Sequence, residues 1–99
     1  MNKLNNALFI NRYPTLDLHG YDRETARVAI NDFIQDNKIM KNEIVVIVHG
    51  KGQGVLQKQT KETLKNNKDV LDYKQDYFND GCTIVQIKTE VKKWKKDLL

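Results

Sequence analysis

The chain has one cysteine, one proline and one tryptophan in 99 residues. A single Cys82 excludes an intramolecular disulfide framework and fits a reducing compartment. The lone Pro14 and the absence of any low-complexity stretch leave no linker to divide the chain. Long apolar runs are missing as well. The longest, Ile44 to Val48, is far too short to span a bilayer. The first six residues (Met1, Asn2, Lys3, Leu4, Asn5, Asn6) do not form the apolar core of a signal peptide. With 39% apolar and 30% charged residues, the composition is that of one small globular domain, expected to be cytoplasmic.

Charge is present but uneven. The net +4 lies entirely in the second half, where eleven lysines face seven acids. Lys51, Lys58, Lys61 and Lys65 form one basic group, and Lys88 to Lys96 another. Clustered lysines favour a polyanion, because each neutralised phosphate releases a counterion. Ten asparagines point equally to the compositional bias of an AT-rich genome. Charge alone does not choose between these readings.

The hydrophobic pattern predicts six elements. Thr15 to Leu18 reads as a short strand, with Leu16 and Leu18 on the inner face. Asp22 is a suitable helix N-cap, followed by Glu24 near the positive end of the helix dipole. Ala26, Ile30, Phe33 and Ile34 repeat as one helical face that fades at Asp36 to Lys38. Glu43 to Val48 is β-branched after its first residue, as in a strand buried on both faces. A second helix is expected from Val55 to about Asn66, with Leu56, Thr60, Thr63 and Leu64 inward. Val70 to Phe78 reads as a half-exposed strand with Leu71, Tyr73 and Tyr77 on one side. The Asn79-Asp80-Gly81 turn leads to a final strand, Cys82 to Lys88.

This order predicts a two-layer α/β sandwich, β-α-β-α-β-β, with both helices on one side of the sheet. The two most apolar strands should be central. The mixed sheet is therefore expected in the order 1-2-4-3, with strand 4 antiparallel and one sheet face largely open. Residues 1–14 are an N-terminal extension, 15–88 the domain, and 89–99 a basic tail carrying Trp94, which either stacks a base or covers apolar residues.

Both histidines follow a strand and precede a glycine: His19-Gly20 and His49-Gly50. Parallel strands would bring both corners to one edge of the sheet, each beside a helix N-terminus, where open α/β sheets bind ligands and anions are favoured. Asp17, two residues before His19, is placed to orient or charge an imidazole, or simply faces water. The run Gly50-Lys51-Gly52-Gln53-Gly54 lacks the spacing of a nucleotide-binding loop. Its glycines either cradle a phosphate, with Lys51 adding a charge, or serve a tight turn. Asp17, His19 and His49 are an incomplete set for a metal, and no cofactor is expected. Cys82 belongs to an apolar strand and reads as core.

Leu16-Asp17-Leu18-His19-Gly20, then His49-Gly50-Lys51-Gly52-x-Gly54, then Asp80-Gly81-x-Thr83 together resemble the Small MutS-Related (Smr) domain, in its short free-standing form. The resemblance covers Thr15 to about Lys88. It implies the β-α-β-α-β-β fold shared with the C-terminal domain of translation initiation factor three. It also implies nucleic-acid binding, with nicking or endonuclease activity on DNA or RNA, and a ribosome as a further partner. The family's L-D-x-H motif falls on Asp17 and His19, and its H-G-x-G motif on His49, Gly50 and Gly52. Gln57 stands where the MutS-fused form usually has a basic residue, and Asn79-Asp80-Gly81 is one glycine short.

On that resemblance, Asp17, His19 and His49 are the expected catalytic residues. His19, oriented by Asp17, would activate the attacking oxygen and His49 would protonate the leaving one, or the reverse. Gly50, Lys51, Gly52, Gly54, Lys58 and Lys61 would hold the phosphates. The alternatives are a binding module for RNA or the ribosome without catalysis, and a protein-interaction adaptor. No membrane partner is expected, and nothing in the sequence sets the oligomeric state.

Overall fold

The structure, a computed structural model, describes residues 12–52, 54–76 and 79–89. Most of the N-terminal extension and of the basic tail, Trp94 included, lies outside the described residues, as do Gln53, Tyr77 and Phe78. The elements run β1 (Thr15–Asp17), α1 (Arg23–Ile39), β2 (Ile44–Val48), α2 (Val55–Lys65), β3 (Val70–Gln75) and β4 (Cys82–Ile87). The sheet order is β1-β2-β4-β3, with β1 parallel to β2 and β4 antiparallel to both of its neighbours. The two most apolar strands are therefore central, as hydrophobic patterning requires. Among the described residues, no helix is long and apolar enough to cross a membrane.

Strand periodicity assigns the two sheet faces. Val45 and Ile47 of β2, Val85 and Ile87 of β4, and Leu18 face the helices, where they meet Ala26, Ile30, Ile34 and Leu64 in one core. The opposite face carries Ile44 and Ile84, with Tyr13 packed on them. Val46 and Cys82 share that second face through their pairings with Ile84 and Val48. It is not the open surface expected from a two-layer reading: Val46, Ile84 and Cys82 are all buried. Aliphatic side chains on both faces of β2 and β4 have to leave water, so the prediction for a doubly buried β2 outweighs the prediction for a bare face.

Helix α1 starts where expected and runs slightly further. The Asp22 carboxylate accepts the Thr25 N–H at 2.7 Å, and this bond holds the Asp22 carboxyl below its usual range. At the other end, Asn37 is buried and donates to the Phe33 carbonyl, then accepts from Asn42 at 2.9 Å. That amide chain lies in the polar stretch where the apolar stripe fades, and the helix continues through it to Ile39.

Helix α2 buries Gln59, Thr60, Thr63 and Leu64, while Leu56 is half-buried. Gln59 escapes a purely apolar reading because its burial depends on partners. It donates to the Thr63 hydroxyl at 3.0 Å and accepts from Arg23 of α1 at 3.4 Å. In β3, a register shift between Val70 and Asp72 inserts an extra residue. Val70 and Tyr73 both pack on the core, and Leu71 is exposed. The expected alternation put Leu71 inside; a bulge reverses the parity on which that expectation rests.

Candidate functional site

Three loops meet at one edge of the sheet: the β1–α1 corner, the β2–α2 loop and the β3–β4 turn. The first two follow from parallel pairing of β1 with β2, and the third from antiparallel pairing of β4 with β2. Leu18 N–H donates to the Val48 carbonyl at 2.9 Å, and both His49 and Gly50 donate to the Gly81 carbonyl at 2.9 Å. The two His-Gly corners are thus neighbours in the sheet, as parallel strands require.

At the first corner, the Asp17 carboxylate accepts the main-chain N–H of His19 at 2.9 Å. It therefore fixes the corner's peptide, and among the described residues no bond joins it to the imidazole. Leu18 O accepts the Tyr21 N–H at 3.0 Å, closing a turn whose third residue, Gly20, has φ +81°. A type II turn needs a residue that tolerates positive φ at that place, and glycine does so without strain. His19 is exposed at the tip.

His49 is placed very differently. It continues the helix-facing side of β2 after Val45 and Ile47, and is only 7% exposed. Its Nδ1 lies 2.9 Å from the Gly50 carbonyl and its Nε2 2.8 Å from the Thr83 hydroxyl. A carbonyl only accepts, so Nδ1 carries the hydrogen, and in the neutral ring Nε2 accepts from Thr83. While these bonds hold, neither ring nitrogen is left for a substrate. Strand register sets Asp17 beside Val48. Asp17 therefore lies on the opposite sheet face from His49.

Thr83 is the site residue that motif reading did not assign a role. The one hydroxyl of the Cys82 to Ile87 strand, near its start and among residues that are apolar except for Gln86, was the available signal. Gly81 has a role of its own. A Cβ there would lie 3.3 Å from Gly50 Cα and 3.2 Å from Asn79 Oδ1. The β3–β4 turn therefore presses against the glycine loop, and only a glycine permits that approach without displacement.

The two helix N-termini at this edge are not equivalent. That of α1 is occupied by Asp22 and has Glu24 in its first turn. That of α2 begins at Gly54, a left-handed cap with φ +83° that offers no side-chain bond, and its first turn contains no acid. The N–H groups of Val55, Leu56 and Gln57 precede the first intrahelical bond, made by Lys58 N–H to Gly54 O. These three residues line a cavity of about 240 Å³ together with His49, Gly50, Lys51, Gly52 and Gly54. Partial positive charge and unsatisfied donors there suit an anion.

Lys51 stands beside the cavity, paired with Asp80 at 3.2 Å, and both side chains are well exposed. Such a surface pair is worth only about 0–1 kcal/mol, so a phosphate can take the ammonium from it. Lys58 and Lys61 are exposed on α2, and with Lys65 they line one side of the helix at spacings of three and four residues. Cys82 lies on the face of Asp17 and is buried. Burial pushes its thiol up, and the carboxylates of Asp76 and Asp17 push it further, which disfavours the thiolate that a nucleophile needs. Among the described residues, no three His, Cys, Asp or Glu side chains are grouped to hold a metal.

A family model described as the Smr domain matches residues 16–88. The chain is similar to the protein called Endonuclease MutS2 of Staphylococcus saprophyticus, with 38% identity over 76 residues, 74% of this chain and 10% of that protein. The protein of the same name from Staphylococcus aureus is 35% identical over 74 residues, 75% of this chain and 10% of its own length. The chain thus spans about a tenth of the length of these curated relatives. Among solved structures, the Smr domain of Thermus thermophilus MutS2 superposes with a TM-score of 0.73 at 22% identity, covering 76% of this chain and 98% of that one. YdaL, a stand-alone small MutS-related protein from Escherichia coli, gives 0.76 at 22% identity, covering 90% of this chain and 78% of that one. At such identity these two report the fold. The family model spans the stretch from β1 to the end of β4, with both His-Gly corners and the turn that locks the second, and this chain belongs to the Smr domain family.

Proposed function

We propose that the chain binds the phosphate backbone of a nucleic acid at the start of α2, and that it cleaves a phosphodiester there. The observation that carries the reading is the contrast between the two helix N-termini: α1 is closed by its own acids, and α2 opens, free of acids, into a glycine-walled cavity beside Lys51. A phosphate oxygen would accept from the N–H groups of Val55 and Leu56. Lys51 would leave Asp80 for a second oxygen, and Lys58 and Lys61 would meet neighbouring phosphates. The endonuclease names of the staphylococcal relatives give the reading its direction.

In this account the histidines divide labour differently from a symmetric acid–base pair. His19, exposed on its turn, is the imidazole able to exchange a proton with an attacking or leaving oxygen. His49 acts as a positioning residue: through Gly50 O and Thr83 it holds the loop that receives the phosphate. Asp17 fixes the His19 peptide and so aims the ring.

The test incubates the protein with matched RNA and DNA hairpins, with and without chelator, and follows both retention and cleavage. Lys51→Ala should weaken binding and make the slope of log affinity against log salt shallower by about one. His19→Ala should bind normally and cut about 100- to 10,000-fold more slowly. Loss of cutting in chelator would assign Asp17 and His19 to a metal instead. A wild-type protein that neither retains nor cuts any hairpin overturns the proposal.

A second reading, a binding module without catalysis, is favoured by the bonds on both His49 nitrogens and by Gln57 at a usually basic position. It predicts salt-sensitive retention and no product at any pH.

A further inference from the structure

Four aromatic side chains fall among the described residues, and three of them are committed to packing. Tyr13 rests on Ile44 and Ile84, and Phe33 and Tyr73 rest on the main core. Tyr21 is part of neither cluster and is 37% exposed, the only aromatic among the exposed large apolar side chains described. Its location is constrained. It is the last residue of the turn that carries His19, tied back by its own N–H to Leu18 O, while the Asp17 carboxylate holds the His19 N–H inside the same turn. Leu18 is bonded to the end of β2, so this turn sits next to the glycine loop. These bonds fix the main chain of Tyr21 in a turn that neighbours the glycine loop, so only its side-chain torsions are left to order when a flat partner stacks on the ring.

Resting on the phosphate-binding reading above, we propose that Tyr21 is a stacking platform for an unpaired nucleobase next to the phosphate held at α2. A phosphate seated among the α2 amides leaves its attached base unplaced, and the neighbouring turn supplies the flat apolar surface a base requires. The substrate class is therefore a single-stranded segment, a loop or a flap, since bases inside a continuous duplex already stack on each other. Tyr21 selects strand state without reading base identity, because every base has a π-face.

The experiment measures anisotropy of labelled oligonucleotides, as single strands and as blunt duplexes of the same sequence, with wild type, Tyr21→Ala and Tyr21→Phe. Wild type should prefer the single strand. Tyr21→Ala should lose about 5- to 150-fold on the single strand with an unchanged salt slope, and little on the duplex. Tyr21→Phe should retain wild-type affinity, because the ring and not the hydroxyl does the stacking. A single strand with abasic positions should be insensitive to Tyr21→Ala. Equal loss on both substrates, or none on either, overturns this proposal while leaving phosphate binding intact. Wild type that binds neither substrate overturns the phosphate reading, and this one with it.

Discussion

Replacing Thr83 by valine tests the corner that builds the site. The two side chains have the same shape, so Thr83→Val removes one hydroxyl and little packing. In the native protein that hydroxyl lies 2.8 Å from His49 Nε2, inside the fold. Without it the ring nitrogen is buried with no partner, and an orphaned buried acceptor costs about 1–3 kcal/mol. For a domain of this size each kcal/mol shifts Tm by about 4–8 °C. The assay is urea unfolding with a double-mutant cycle to His49→Ala. Thr83→Val should lower the midpoint without changing the slope. Its cost should largely vanish when His49 is already alanine, a coupling within the range of about 0.5–3 kcal/mol seen for directly bonded pairs. Additive effects, or a single-variant loss under about 0.5 kcal/mol, would refute the reasoning that Thr83 and His49 form a locking pair.

Gly81→Ala should destabilise by about 1–3 kcal/mol, because its Cβ presses on Gly50 and the loop must yield; proton–deuterium exchange should quicken at Gly50 and spare α1. Asp22→Asn keeps a capping oxygen but removes a titrating group. Because the native Asp22 carboxyl is held low, its contribution is present above the ordinary carboxylate range and disappears as pH falls through the native value, so the acid limb of wild-type stability should flatten in the variant. Cys82 should resist iodoacetamide in the native protein and react once urea unfolds it, since burial and two carboxylates disfavour its thiolate. Rapid native alkylation would contradict the described packing.

Sheet order, helix sides and strand identity were legible because they depend on one-dimensional patterns: continuous aliphatic runs for β2 and β4, a 3.6-residue stripe for α1, and an Asp-Gly turn. Leu71 escaped because a bulge changes parity by an offset invisible in the pattern itself. Gln59 and Asn37 escaped because a polar side chain is buried only where the fold supplies a partner, Arg23 of the other helix for Gln59 and Asn42 just past the helix end for Asn37. The candidate site was half legible. The motifs placed His19 and His49 at one edge, but strand parity, once β2 is taken to face the helices through Val45 and Ile47, sends His49 inward with them. The asymmetry between helix starts was also written in Asp22 and Glu24, and emerges only when both ends are compared.

The most direct test follows backbone amide shifts by NMR as a dinucleotide phosphodiester is titrated into the protein. Val55, Leu56 and Gln57 should move together and saturate at one affinity, while Thr25 at the capped start of α1 stays still. Shifts spread over the lysines without saturation, or movement at α1 and not α2, would contradict the claim that the acid-free helix end is where this fold takes its phosphate.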